Sequence, residues 1–268
     1  PQPGQTTDVL TQTIDIAPTM LSYFEKPVPV DMQGNDIAKV IEKVHAPREA
    51  GLFGLHSGHV NVTDGRYVYM RGCVSADNQP LEEYTLMPTK MRARFSQKNL
   101  LGWELGEPFS FTKGLQTVKV KAQDYGWTSP WRFGTLLFDL ENDPAQTNPL
   151  LDEVLETRMA ELLVQQMRLN DAPASQYVRL GLPQYGPVGR EHLLCAEQNA
   201  RAMAAAEPMP IFETIPEPLK QPFAVLLNNP SIKPILHEHL PESTTGEFLS
   251  TSGNFNLEAV ARLSLITS

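Results

Sequence analysis

The sequence predicts an α+β protein: a small antiparallel sheet packed by one long helix toward the C-terminal side, followed by a helical tail. Three observations predict it. Residues 58–71 alternate apolar and polar positions around Asp64-Gly65, the pattern of a tight hairpin. Further strand-like segments follow, separated by turn residues. Residues 149–170 then carry an apolar stripe at helical spacing.

Residues 1–49 read as a loop followed by a short helix. Asp15 is placed to accept hydrogen bonds from the N–H groups of its first turn. Pro18 falls in that turn, where a missing N–H costs little. Met20, Leu21 and Phe24 recur at helical spacing, and Pro27-Val28-Pro29 ends the element. A turn over 31–36 leads into a second helix over 37–44.

Residues 50–140 are strand-rich. Phe53, Leu55, Val60, Val62, Tyr67, Val68 and Tyr69 suit strands, and Asp64-Gly65 is expected to supply the positive φ angles of the hairpin turn. Asp77-Asn78-Gln79-Pro80 marks a turn before a strand over 81–87. Phe109-Ser110-Phe111 and residues 118–121 continue the strand pattern, and 133–140 ends the sheet. Strands joined by tight turns imply an antiparallel sheet, which can carry a helix on one face.

That helix is 149–170. Leu151, Val154, Leu155, Met159, Leu162, Leu163 and Met167 form its buried stripe. Asn148 is the expected cap, with Pro149 at the first helical position and Asp152-Glu153 favourable near the positive end of the dipole. Residues 170–173 stop it. An Ala-rich helix over 191–206 follows, then a linker marked by Pro208-Met209-Pro210 and Pro216-Glu217-Pro218. Short helices are expected over 223–228, 231–239 and, after a cap at Asn256, 257–266. The division is therefore 1–183 for the sheet and its helix, 184–218 for helix and linker, and 219–268 for a tail module. The tail is too small to bury much by itself and is expected to dock on the main body or on another subunit.

A chain of 268 residues is long enough for one substantial core with an attachment. Its net charge of −9 gives no electrostatic reason to expect nucleic acid or an anionic membrane as partner. No run approaches the roughly 18 apolar residues of a membrane span. Cys73 and Cys195 have no metal-type spacing and are expected to be reduced thiols, which favours a cytoplasmic location, with the periplasm as the alternative. The opening Pro1-Gln2-Pro3-Gly4 has neither an initiator Met nor a charged-then-apolar leader, and reads as an internal start.

Several motifs, taken in order, resemble the C-terminal half of the sulfatase family, in the alkaline phosphatase superfamily. Asp15-Ile16-Ala17-Pro18-Thr19 matches the Asp-x-x-Pro-Thr entry to a helix, and Asp31-Met32-Gln33-Gly34 matches the loop that follows. Phe138-Asp139-Leu140-Glu141-Asn142-Asp143-Pro144 matches the turn into the family's packing helix. The hairpin of residues 58–71 is most similar to a bacterial arylsulfatase branch, and the resemblance covers about residues 7–183. It implies the C-terminal part of an alkaline-phosphatase-like α/β fold and sulfuric ester hydrolysis by the intact protein. That chemistry would use a formylglycine nucleophile and a calcium-type divalent cation.

The family's Cys/Ser-x-Pro-x-Arg signature, however, fits neither Cys73-Val74-Ser75-Ala76-Asp77 nor Cys195-Ala196-Glu197-Gln198-Asn199. The paired aspartates and the later Asp-His/Asn-Gly that hold the cation are absent too. Taken alone the chain is expected to be inactive, with no catalytic residue, no metal ligand and no cofactor of its own. Its expected partners are the N-terminal catalytic half of the same protein and further copies in a homo-oligomer. The rival is a non-catalytic interaction or oligomerisation module derived from a sulfatase, to which residues 226–241 lend support by resembling a helical add-on of bacterial enzymes.

Four residues are candidates for substrate contact. His56 and His59 bracket Ser57-Gly58 between two strands, with Asn61 and Arg71 placed to assist. The competing account makes them turn and sheet-surface residues satisfied locally. His237-Glu238-His239 lacks the one-turn spacing of a helical metal pair. Asp139, Glu141 and Asp143 suit a solvated turn better than a calcium site. Trp103, Trp127 and Trp131 could line an apolar pocket, with core packing as the default.

Overall fold

Antiparallel pairing organises the sheet-bearing part of the chain, in a computed structural model that describes residues 4, 6–42, 48–87, 89, 94–98, 100–122, 129–206 and 220–239. The chain divides into two units, Pro1–Ala205 and Ala206–Ser268. Strands of the first unit are β1 (Gly51–Gly54), β2 (Val60–Thr63), β3 (Tyr67–Arg71), β4 (Glu82–Thr85), β5 (Glu104–Gly106), β6 (Thr117–Lys121) and β7 (Leu136–Asp139). They form one sheet in the order β1-β2-β3-β7 and a second in the order β4-β6-β5, antiparallel throughout.

The hairpin turn differs from the expected Asp-Gly pair by one position. Thr63 pairs with Val68, so the two central residues are Gly65 and Arg66, and only Gly65 takes a positive φ, at +98°. Asp64 works through its carboxylate instead. Its Oδ1 accepts the N–H groups of Arg66 at 3.0 Å and Tyr67 at 2.7 Å, closing the turn from the side.

Register determines which side chains share a face, because alternate residues of a strand project oppositely. Leu52, Val62, Tyr69 and Leu137 lie in one row across the four strands. That row is covered by α4 (Glu153–Leu169), and Met159, Leu163 and Met167 of the helix join it in a continuous core. Each such side chain contributes about 1.5–3 kcal/mol on full burial. The next row, Phe53, Asn61, Met70 and Leu136, faces away from the helix.

Helix α4 begins later than its sequence pattern suggests. Asp152, not Asn148, is the N-cap, and its carboxylate accepts the N–H groups of Val154 and Leu155 at 3.0 and 2.9 Å. Asn148 is held in the preceding turn, where its N–H donates to Asp143 at 2.8 Å. Leu151 therefore lies outside the helix, and Val154 is 83% exposed. The buried stripe includes Glu156 instead, whose Oε1 accepts the N–H groups of Leu194 and Cys195 at 2.8 and 3.0 Å. This carboxylate satisfies the start of the Ala-rich helix, which runs Cys195–Ala206 rather than from 191. Residues Arg190–His192 form a separate 3-10 turn.

The other helices of the first unit are α1 (Ile16–Tyr23), α2 (Ile37–Ile41), α3 (Pro130–Phe133) and α5 (Ala174–Leu180), with Cys195–Ala206 as α6. Asp15 precedes α1 but does not cap it. Its carboxylate instead accepts the N–H groups of Gln12 at 2.7 Å and Asn35 at 2.8 Å, and pairs with Arg48. The α2 helix is capped by Asp36 and ends at Ile41. Phe109-Ser110-Phe111 does not form a strand. Ser110–Thr112 is a 3-10 turn, because the Ser110 N–H donates to Asp171 at 2.7 Å and the Thr112 N–H to Phe109 O at 2.9 Å, so neither joins a ladder.

In the second unit α7 (Phe223–Leu227) and α8 (Lys233–His239) match the two expected short helices. The expected helix over 257–266, its cap at Asn256, and Trp127 lie outside the described residues. Among the described residues no helix is long and apolar enough to cross a membrane.

Candidate functional site

The loop of residues 55–59, between β1 and β2, builds one wall of a cleft on the sheet face turned away from α4. The cleft has a volume of about 410 Å³ and is lined by Phe53, Gly54, Leu55, Gly58, His59, Asn61, Met70 and Phe133. Phe53, Asn61 and Met70 form its floor, because they are register neighbours on β1, β2 and β3. Phe133, at the end of α3, closes one side; its ring lies 6.4 Å from that of His59.

The loop is held from beneath by groups distant in sequence. Gly58 N–H donates to Leu55 O at 3.0 Å, and Ser57 adopts φ +57°. Asn78 Nδ2 donates to Ser57 O at 2.8 Å. Arg179, on α5, donates through Nη1 to Gly58 O at 3.3 Å and to Asn78 Oδ1 at 2.9 Å. Arg179 and Asn78 are themselves buried. A loop tied to a helix in this way offers a fixed wall.

His59 lies at 2.7 Å, through Nε2, from Gly134 O. A carbonyl only accepts, so Nε2 carries the hydrogen and Nδ1 is the acceptor of the neutral ring. Burial disfavours the imidazolium and holds the His59 pKa below its ordinary value, against the opposing effect of the Gly134 carbonyl. Asn61 is only 5% exposed, and among the described residues its buried Oδ1 has no hydrogen-bond partner.

Arg71 is elsewhere. Met70 and Arg71 are consecutive on β3, so Arg71 projects to the helix face, opposite Asn61. Its side chain is fully buried and donates to Leu180 O at 2.8 and 2.6 Å, Gly181 O at 3.2 Å, His192 O at 2.6 Å and Tyr69 Oη at 2.9 Å. Tyr69 Oη in turn donates to Glu156 Oε1 at 3.1 Å. This network ties the sheet, α4, α5 and the start of α6 together.

His56 occupies a second cleft, of about 500 Å³, with Glu82, Glu83, Tyr84, Thr85, Thr89 and Phe95. It lies 3.4 Å from Glu83. The polar groups here are engaged: Glu82 accepts from Ser175 Oγ at 2.6 Å and Tyr84 Oη at 2.7 Å, and lies 3.3 Å from Lys119 Nζ. Burial and the neighbouring Glu82 carboxylate push the Tyr84 phenol up to about 12. The four sequence-derived candidates thus fall into three places, and only His59 and Asn61 share a cleft.

The remaining candidates are structural where they are described. Asp139 accepts a bidentate pair from Arg66, at 3.2 and 2.8 Å, and Asp143 accepts from Thr147 and Asn148. Trp131, on α3, carries Arg201 over its ring at 3.4 Å, and Trp103 is exposed. Among the described residues no group of three or more His, Cys, Asp or Glu side chains is placed to hold a metal ion. Sequence reasoning did not single out Met70, Phe133, Asn78 or Arg179. Met70 was within reach, since fixing the hairpin register puts it opposite Asn61; the other three come from distant segments.

Comparison with protein-family models finds no match, and comparison with curated proteins finds none either.

Proposed function

We propose that this chain is the C-terminal part of a sulfatase-type hydrolase of the alkaline phosphatase superfamily. The observation that carries the reading is the ordered set of motifs from Asp15 to Pro144, taken with what the last of them connects. Residues 138–144 leave the final strand of a four-stranded antiparallel sheet and lead into a helix that lies across that sheet. In this reading the formylglycine, the divalent cation and the chemistry of sulfuric ester hydrolysis belong to an N-terminal half, and this chain supplies a wall beside it. No step of catalysis is assigned to these residues.

The test is the polypeptide encoded upstream of Pro1. A Cys/Ser-x-Pro-x-Arg signature and metal-binding aspartates are expected there, and the whole protein should release p-nitrophenol from its sulfate, phosphate or phosphonate ester. Absence of that signature would overturn the proposal.

A second reading, a non-catalytic interaction or homo-oligomerisation module, draws on Ile16, Met20, Tyr23 and Phe24, which are all exposed along and just after α1. Sedimentation of the chain with and without residues 208–268 tests it. A monomer at every concentration would remove the oligomer, and an unchanged assembly state would remove the tail's part in it.

A further inference from the structure

The cleft that holds His56 runs along an unused edge of a sheet. Four consecutive residues of β4, Glu82 to Thr85, line it, together with His56, Thr89 and Phe95. Side chains of a strand alternate between faces, so four in a row share one cleft only along the edge of the strand. In the order β4-β6-β5 that edge has no neighbouring strand. At about 500 Å³ the cleft has the volume of a small binding site.

The phase of the ladder decides which backbone groups face it. Leu81 O accepts the Ala122 N–H at 2.9 Å, which marks these two as a hydrogen-bonded pair. In the same register Glu83 with Val120 and Thr85 with Val118 are the next such pairs. The N–H and C=O groups of Glu82 and Tyr84 therefore point away from β6, and among the described residues they meet no hydrogen-bond partner. A row of such groups is a template for an added strand.

Charge selects what that strand carries. Lys119 and Lys121 stand opposite Tyr84 and Glu82, on the face where Glu82 is already held by Lys119, Ser175 and Tyr84. Glu83 is on the other face, where its neighbours Thr85, Val118 and Val120 carry no charge. Its side chain is 25% exposed, and among the described residues His56, at 3.4 Å, is its one ion-pair partner. Two copies of the chain joined along β4, in the antiparallel register that uses all four groups, would set Glu83 against its own counterpart. Like charges directly opposite weaken a strand pair, whereas a lysine or arginine there strengthens it.

We propose that the β4 edge binds an extended peptide as an added antiparallel strand, with a lysine or arginine of the peptide opposite Glu83. Both sheets of the chain are antiparallel throughout, and that pairing is the more stable per residue. In this register the peptide residues opposite Glu82 and Tyr84 turn their N–H groups toward β4, and the basic residue between them turns its N–H away. The proposal does not depend on a sulfatase origin.

The probe is a short capped peptide of alternating lysine and valine, titrated into the 268-residue chain and followed by amide NMR and hydrogen exchange. Without peptide, the Glu82 and Tyr84 amides should exchange faster than those of Glu83 and Thr85, and the peptide should slow the first two. N-methylation of the valines removes the N–H groups that face β4 and should weaken binding about tenfold or more. N-methylation of the lysines should leave binding unchanged. Glu83→Gln should weaken it about two- to fivefold, the worth of one opposite-charge cross-strand pair. Failure of the peptide to saturate at millimolar concentration would overturn the proposal. So would equal binding of a glutamate–valine peptide, or methylated valines that bind as well as plain ones. Self-association that protects Glu82 and Tyr84 without peptide would give the edge to a second copy and overturn it too. The peptide comparisons on the unaltered chain decide the matter even if the variant does not fold.

Discussion

Replacing Arg71 with Met is the sharpest probe of how this fold is held together. Methionine retains a long unbranched stem but removes every donor. Three carbonyls, those of Leu180, Gly181 and His192, lose a charged partner at 2.6 to 3.2 Å, and Tyr69 Oη loses another at 2.9 Å. Each buried acceptor left dry costs about 1–3 kcal/mol, whereas removing a buried charge returns part of the desolvation it carried. The net loss should be about 3–5 kcal/mol, the range for removing one member of a buried charged network. With a urea dependence of about 2–3 kcal/mol per molar, the unfolding midpoint should fall by roughly 1–2.5 M. The assay is urea unfolding followed by circular dichroism and by fluorescence, whose transitions must coincide for the energies to be meaningful. Arg71→Lys keeps the charge but not the planar fork, and should fall between the two. A loss below about 1 kcal/mol in Arg71→Met would refute the reasoning, because the carbonyls would then have found water or new partners.

Three further outcomes follow from local chemistry. The folded His59 pKa lies below its ordinary 6.5, so between the two values the unfolded chain binds a proton that the folded chain does not. Stability should therefore decline as pH drops below about 6.5 and level off beneath the folded value, and His59→Gln should flatten that part of a midpoint-versus-pH curve; an unchanged slope would speak against the assignment. Asp152→Ala should cost about 1 kcal/mol by thermal or urea unfolding, while Asn148→Ala should leave the start of α4 unaltered in amide exchange. Cys73 and Cys195 are both buried and in no disulfide, and burial pushes the Cys195 thiol up, so maleimide labelling should be slow until denaturant is added. Rapid labelling of the folded chain would contradict this.

The hairpin, the strand over 118–121, the last strand and the apolar stripe of α4 were legible because each rests on periodicity within one segment. Their errors are local and have a common origin. Asn148 and Asp152 both look like caps, and which one acts depends on the turn that draws the Asn148 N–H to Asp143. Phe109-Ser110-Phe111 has strand composition, but Asp171, sixty-one positions away in sequence, takes the Ser110 N–H. Glu156 occupies a stripe position that pattern reserves for apolar residues, because the N–H groups of Leu194 and Cys195 need an acceptor there.

The functional residues divide along the same line. By itself the sequence determined that His56 and His59 bracket Ser57-Gly58 between two strands, with Asn61 and Arg71 on the hairpin that follows. Strand alternation also places Arg71 on the other face of the sheet from Asn61 once the register of the hairpin is known. Only the tertiary structure decided what each side chain meets. Gly134 and Phe133 enclose His59, Asn78 and Arg179 hold its loop, and three carbonyls from beyond residue 179 engage Arg71. Backbone periodicity is a property of neighbours in the chain, whereas burial and hydrogen-bond satisfaction depend on segments that meet only after folding.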